Sequence, residues 1–157
     1  MSDYQKSMTV TKTAGEVYDA LTNHIADWWS KDLIGNSKRP GDSFNIAFGN
    51  TRKTFDIVEA IPNERVEWEC VKAYIDMVSL QNKAEWVGTR LIWTLSSAEN
   101  TTTLFFLHEG LNESFQCYQI CEAGWDQFLA SLYAYLSTGT GSPFLKTVGN
   151  EEKQPVV

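Results

Sequence analysis

The residues best suited to chemistry lie in the segment FFLHEGLNESFQCYQICEAGW, which runs from position 105 to position 125. It contains His108 inside an apolar run, followed by Cys117 and Cys121. Such a set can bind a metal ion, form a redox pair, or pack where a strand meets a helix. A structural zinc site needs about four ligands, usually with closely spaced cysteines in a loop. This segment supplies too few, so we expect neither a metal site nor a cofactor.

The two cysteines of this segment also fit a redox pair poorly. Positions one helical turn apart hold their Cβ atoms about 5–6 Å apart, whereas a disulfide needs about 3.5–4.5 Å. Cys121 also shares an apolar stripe with Trp125, and a buried free cysteine behaves as a small hydrophobe. We therefore interpret Cys117 and Cys121 as packing residues whose small side chains leave room between a helix and a sheet.

His108 leaves two interpretations open. Strand alternation places it on one face with Leu104 and Phe106. On a concave apolar face a polar side chain needs a hydrogen-bonding partner, which describes a structural histidine at a strand end. The alternative is a cavity histidine that orients a ligand or transfers a proton. As a catalytic residue it would be a general acid or base, but no matched second group is visible.

The elements that must position these residues follow from apolar periodicity. Alternation predicts strands near 4–12, 44–48, 55–61, 66–70, 86–96 and 103–109. A capping box from Thr13 to Glu16 begins a short helix, and a second short helix is expected at 24–30. Steps of three and four predict a long amphipathic helix over about 114–137. Strands followed by one long helix favour an α+β fold with an antiparallel sheet. We expect one domain over 1–145 and a polar, mobile tail over 146–157.

Composition excludes several function classes. The 157 residues carry 13 positive and 20 negative side chains, a net charge of -7. Such a surface disfavours nucleic acid, and no apolar run is long enough for membrane insertion. Three cysteines and no secretory signal indicate a cytoplasmic protein. Aromatic residues make up 13% of the chain, which predicts either a large core or an apolar cavity.

Several segments together resemble a known family. They are VYDALT, the pair Trp28-Trp29, Pro40-Gly41, IPNERVEWE, WVGTRLIWTL, TTLFFLHEGL and CEAGWDQFLASLYAYLSTGTGSP, over about residues 5–143. The chain resembles the activator-of-heat-shock-protein-90-ATPase homologue branch of the START-like, birch-pollen-allergen-like superfamily. The resemblance implies a helix-grip fold, in which a curved antiparallel sheet of about six strands wraps a C-terminal helix. Two short helices follow the first strand, and a lipophilic cavity commonly lies between helix and sheet.

The leading functional hypothesis is that the chain binds a small, largely apolar molecule in this cavity. The residues expected to line it are Trp28, Phe44, Phe55, Trp68, Trp93, Phe106, His108, Cys121, Trp125 and Phe128. One alternative is an enzyme of the cyclase or hydratase kind that occurs elsewhere in the superfamily, in which His108 would be the general acid or base. Another is a co-chaperone-like interaction domain, which rests on the branch name alone. An outward face with Phe105 and Leu107 adds the hypothesis of a homodimer.

Overall fold

A computed structural model describes residues 2–146 of the chain, in which a β-sheet packs against helices. In chain order the elements are β1 (Tyr4–Val10), α1 (Ala14–Thr22), a 3₁₀ turn (Ile25–Asp27), β2 (Leu33–Gly35), β3 (Ser43–Phe48), β4 (Thr51–Ile61), β5 (Arg65–Tyr74), β6 (Arg90–Ala98), β7 (Thr101–Glu109) and α2 (Tyr118–Thr138). The expected mobile tail falls almost wholly on 147–157, outside the described residues. None of the helices within 2–146 is long and apolar enough to cross a membrane.

The strands form an antiparallel sheet in the order β1-β7-β6-β5-β4-β3-β2. Its inner face packs on α2: the ring of Phe128 lies 5.6 Å from that of Phe48, and the ring of Trp125 lies 4.5 Å from that of Phe106. The predicted α+β helix-grip fold is therefore confirmed. An antiparallel sheet buries one face and an amphipathic helix one stripe, and here each covers the other.

The start and end of the two helices follow local sequence rules. Thr13 Oγ1 accepts a hydrogen bond from the Glu16 N–H, and the Glu16 carboxylate accepts one from the Thr13 N–H. The predicted capping box is confirmed. The last turn of α2 ends at Gly139, whose φ of 87° lies in the left-handed region that glycine adopts without strain.

Three details differ from the prediction. The sheet has seven strands among the described residues, because β2 is a three-residue edge strand too short to give an alternating pattern. The second short helix is only the 3₁₀ turn. The strand expected from position 86 begins at Arg90 instead, which places Trp86 in the loop 75–89 between β5 and β6.

The register of β4 directs one charged side chain into the core. Lys53 pairs with Ile46 across the sheet, and Phe55 pairs with Phe44. Side chains two positions apart share a face, so Lys53 points inward with Phe55 and is only 1% exposed. A register shift beside Phe55 lets Phe55 pair with Cys70 and Thr54 with Lys72. In contrast to Lys53, Lys72 of β5 therefore lies on the outer face.

Candidate functional site

The ten residues expected to line a cavity all lie in one buried cluster between the sheet and α2. Each is no more than 1% exposed. Their rings touch one another: the centroids of Trp93 and Phe106 are 4.2 Å apart, and those of Trp28 and Trp93 are 5.7 Å apart. Phe44 and Phe55 pack at 5.4 Å. The structure therefore brings the predicted residues together, and a ligand entering this region must displace side chains.

Two tryptophans missing from the predicted set complete the cluster. Trp29 stacks on Trp125 with ring centroids 5.1 Å apart. Trp86 packs on His108 at 4.5 Å, and its Nε1–H donates a hydrogen bond of 3.3 Å to Cys121 Sγ. The adjacent Trp28-Trp29 pair was a usable signal for Trp29. In the predicted strand over 86–96, position 86 falls on the face opposite Leu91, Trp93 and Leu95, whereas the observed loop places Trp86 in the core.

Hydrogen bonds satisfy both ring nitrogens of His108. Trp125 Nε1–H donates to Nδ1 at 3.0 Å, and an indole nitrogen can only donate. Nε2 therefore carries the proton and donates to Thr89 Oγ1 at 2.9 Å, while the Thr89 hydroxyl donates to the Trp86 carbonyl. Burial, with a smaller contribution from the charge of Lys53, lowers the pKa of His108 well below its ordinary value. This geometry favours the structural interpretation of His108.

The cysteines form a packed thiol pair at the start of α2. All three cysteines are buried and free. The interaction between the Cys117 and Cys121 thiols is the main cause of the lowered pKa of Cys121 and the raised pKa of Cys117. Within residues 2–146, no three histidine, cysteine, aspartate or glutamate side chains lie close enough together to hold a metal ion.

Lys53 is the functional candidate that sequence reasoning missed. Its Nζ lies 3.7 Å from the ring centroid of Trp86 and 5.4 Å from that of Phe48. No side chain or backbone group of the described residues accepts a hydrogen bond from it. Burial lowers the pKa of Lys53 to about 8, and the nearby thiols oppose this only in part.

The contacts of Lys53 compensate only in part for the free energy needed to remove its ammonium group from water. A cation–π contact contributes about 2 kcal/mol when it is desolvated. Removing an ammonium group from water costs several kcal/mol even after the protein relaxes. A methionine at this position would fill a similar volume without that cost. Lys53 therefore destabilises the protein as it stands, and an interaction with an added acceptor would recover part of the loss.

Of the six tryptophan indole groups in this core, three have hydrogen-bond acceptors among the described residues and three do not. The N–H groups of Trp28, Trp86 and Trp125 donate to Ala20 O, Cys121 Sγ and His108 Nδ1. The Nε1–H groups of Trp29, Trp68 and Trp93 are buried and find no partner anywhere in the described part of the chain. Each such donor costs about 1–3 kcal/mol. The core is therefore rich in hydrogen-bond donors and poor in acceptors.

Comparison with known protein families gives a match over most of the chain. The family model for "Activator of Hsp90 ATPase homolog 1-like protein" matches residues 12–137. The chain belongs to the Activator of Hsp90 ATPase homolog 1-like family. A search of curated proteins gives no significant match.

Solved structures extend this likeness across the AHSA1-like chain. The solution structure of the Aha1 dimer from Colwellia psychrerythraea is 26% identical, with a TM-score of 0.74; the match covers 90% of this chain and 100% of that one. Protein MLL2253 from Mesorhizobium loti is 19% identical over 85% of this chain and 96% of its own, with a TM-score of 0.67. CalU16 from Micromonospora echinospora is 22% identical over 88% of this chain and 75% of its own, with a TM-score of 0.64. The last two likenesses concern the fold alone.

Proposed function

We propose that this AHSA1-like chain binds a small, largely apolar molecule between its sheet and α2, in contact with the ten predicted residues. The observation that carries the proposal is the set of unpartnered indole N–H groups of Trp29, Trp68 and Trp93 inside an aromatic core. Ligand sites in proteins combine mostly apolar walls with a few polar groups that fix orientation. A ligand with an apolar body and one or two oxygen acceptors meets both requirements of this core.

The loop 75–89 is the route by which such a molecule would enter. Trp86 projects from this loop, covers Lys53 and packs on His108 and Trp125. The Glu85 carboxylate accepts hydrogen bonds from the N–H groups of Gln116 and Cys117, at 2.9 and 3.2 Å. Long connections without regular structure often act as lids. Outward movement of Trp86 would open the core while the sheet ladder stays intact.

The first experiment is native mass spectrometry of the purified protein, followed by organic extraction and a titration with the neutral dye N-phenyl-1-naphthylamine. We expect either a retained small molecule or saturable binding of one dye per chain. Ile34→Ser, an exposed change on β2, is the control that should leave dye binding unaltered. A bare protein mass together with a linear, non-saturating dye response would contradict the proposal.

The cyclase- or hydratase-type alternative has less support from the geometry. His108 has both ring nitrogens engaged, and its neutral imidazole faces Trp125 and Thr89 rather than free space. General acid–base catalysis requires a group within hydrogen-bonding reach of the substrate. Measuring turnover of any retained molecule with wild type and His108→Gln would test this alternative directly, since an enzyme of this kind loses its activity in the variant.

A second candidate function is self-association through the outer face of the sheet. Phe105 is 37% exposed, and beside it Ile92 and Leu107 pair across β6 and β7, both half-buried. One similar structure is described as an Aha1 dimer. Light scattering after size exclusion should give a dimer mass that Phe105→Ser lowers; a monomer mass for wild type at high concentration would remove this candidate.

The co-chaperone alternative calls for a chaperone ATPase assay, in which no stimulation at saturating protein counts against it.

A further inference from the structure

We propose that the molecule held in this core carries one anionic oxygen group of the carboxylate type, which pairs with the Lys53 ammonium group. This inference rests on the proposed function and specifies the ligand class of that same site. The apolar body of the ligand would lie among the aromatic rings, and its single charged end would lie beneath Trp86.

The first argument is that other lysines of the described chain have partners that Lys53 lacks. Lys31 pairs with Asp27 at 2.9 Å, Lys6 with Asp126 at 3.2 Å, and Lys83 donates to the Leu80 carbonyl at 2.7 Å. Those three lie at the surface or half-buried, where water also solvates them. Lys53 combines full burial with the lack of any acceptor within residues 2–146. Since buried charges are normally paired, this ammonium group is suited to an anion supplied from outside the chain.

The second argument is that none of the titratable groups facing Lys53 in the described part of the chain accepts a hydrogen bond from its Nζ. His108 on β7 is neutral, because burial and the charge of Lys53 hold its pKa well below the ordinary value. Burial raises the pKa of Cys70 on β5 to about 12. On α2, Cys121 Sγ accepts a hydrogen bond from Trp86 Nε1 at 3.3 Å. Its interaction with Cys117 and the charge of Lys53 lower the pKa of Cys121, while the pKa of Cys117 is raised. Neither thiol of this pair makes a hydrogen bond with Nζ.

The third argument concerns the size of the charge. The groups around Nζ are the rings of Trp86 and Phe48 and the thiols of Cys70, Cys117 and Cys121. One positive charge in such surroundings balances one negative charge, and a second negative charge would be left buried without compensation. This favours a monoanion on an apolar body and disfavours a phosphate ester.

The test compares matched probes by titration calorimetry at pH 8.5: 1-naphthylacetate with 1-naphthylacetamide, and dodecanoate with dodecan-1-ol. We expect each carboxylate to bind wild type about 10- to 100-fold more tightly than its neutral match. Because Lys53 titrates near pH 8 in the free protein, pairing should raise its pKa and draw in a fraction of a proton per site. Two buffers of different ionisation enthalpy reveal that uptake, which the neutral probes should not show.

Two variants locate the effect. Lys53→Met should abolish both the carboxylate preference and the proton uptake, with little change for the neutral probes. Lys72→Met removes the same charge from the exposed outer face of β5 and should keep both. Circular dichroism and an amide NMR spectrum establish that each variant is folded. The proton uptake of wild type requires no variant, so it remains a test if Lys53→Met does not fold.

The outcomes separate this inference from the function on which it rests. Equal binding of both members of each pair, or a carboxylate preference that survives in Lys53→Met, overturns the pairing with Lys53 but leaves small-molecule binding in place. If neither member of either pair binds wild type, and neither a retained molecule nor saturable dye binding is found, both proposals fall.

Discussion

Two buried charges on opposite faces of the same sheet have opposite surroundings. Glu67 on β5 is 8% exposed and lies on the outer face. Arg65 donates to it at 2.9 Å, and Arg90 donates to its other oxygen. Burial tends to raise the pKa of Glu67, but the hydrogen bonds from Arg90 and Arg65 outweigh it and lower the pKa. Lys53 on the inner face of β4 is more deeply buried. Aromatic rings and thiols surround its Nζ, and no group of the described residues accepts a hydrogen bond from it.

The difference is between a buried charge whose partners lie in the folded structure and one that has no hydrogen-bond acceptor among the described residues. Glu67 is surrounded by the partners that a carboxylate needs, so its burial requires nothing further. Lys53 lowers stability by itself, and apolar side chains of similar size would serve the core better. Retaining an ionisable group at that position is explained if it acts on something that enters the core.

The largest effect should come from uncovering Lys53. Trp86→Ala removes a fully buried ring and should lower the free energy of unfolding by about 3–5 kcal/mol. Water would then reach Nζ, and the pKa of Lys53 should return toward its ordinary value. Urea unfolding followed by circular dichroism gives the first quantity, and NMR titration of the lysine side chain gives the second. Val87→Ala in the same loop is half exposed and should change stability by no more than about 0.5 kcal/mol.

Replacing the unpaired charge should stabilise the free protein. Lys53→Met is expected to raise the free energy of unfolding by about 1–4 kcal/mol, because the buried ammonium is removed and the volume is kept. The same urea experiment measures it, with Lys72→Met as the matched control on the outer face. A loss of stability in Lys53→Met would show that the contact with Trp86 outweighs the desolvation cost.

The stability difference between wild type and Lys53→Met should depend on pH, and the lowered pKa of Lys53 sets the sign of that dependence. The folded pKa of Lys53 is about 8 and its ordinary value is 10.5, so between these values the unfolded chain binds more protons. Stability of wild type relative to Lys53→Met should therefore rise as pH increases from about 8 to 10.5. Unfolding free energies measured at pH 7, 8, 9 and 10 should show the stability difference between wild type and Lys53→Met narrowing by about 2–3 kcal/mol. A constant gap would indicate that the pKa of Lys53 is the same in the folded and the unfolded chain, against the lowered value of the folded protein.

Weakening the paired charge should have the smallest effect. Glu67→Gln keeps the shape but loses the charge that Arg65 and Arg90 contact, and both arginines are partly exposed. We expect a loss of about 1 kcal/mol or less. In wild type this contribution should disappear as pH falls through the lowered pKa of Glu67, below its ordinary 4.5. Glu69→Gln is the control, since that carboxylate is more exposed and its contact with Arg90 is 3.5 Å.

Most of the fold could be predicted from the sequence because its signals are local and repeated. The stripe along α2 and the alternation of Leu104, Phe106 and His108 define which side chains face inward. Burying those faces against each other gathers the ten predicted residues without further information. The edge strand β2 gives no such signal, since three residues cannot show a period.

The chemistry of the core was harder to predict. The segment Thr51–Thr54 follows the Gly49-Asn50 turn and carries two charges, so the predicted strand began at Phe55 and Lys53 was left out of the core. Lysine is depleted in strands, which made this boundary reasonable. The unpartnered indoles were not predictable either, because a tryptophan finds its acceptor through tertiary contacts such as Trp125 with His108.

The hydrogen bonds between Glu85 and the two amides just before α2 report on the position of the loop over the core. If the loop swings outward, the carboxylate leaves and the N–H groups of Gln116 and Cys117 lose their acceptors together. Their hydrogen–deuterium exchange rates would then follow the frequency of opening, residue by residue. Slower exchange at these two amides than in the exposed turns, and further slowing when a probe is added, would show that the lid and the helix terminus open as one cooperative unit.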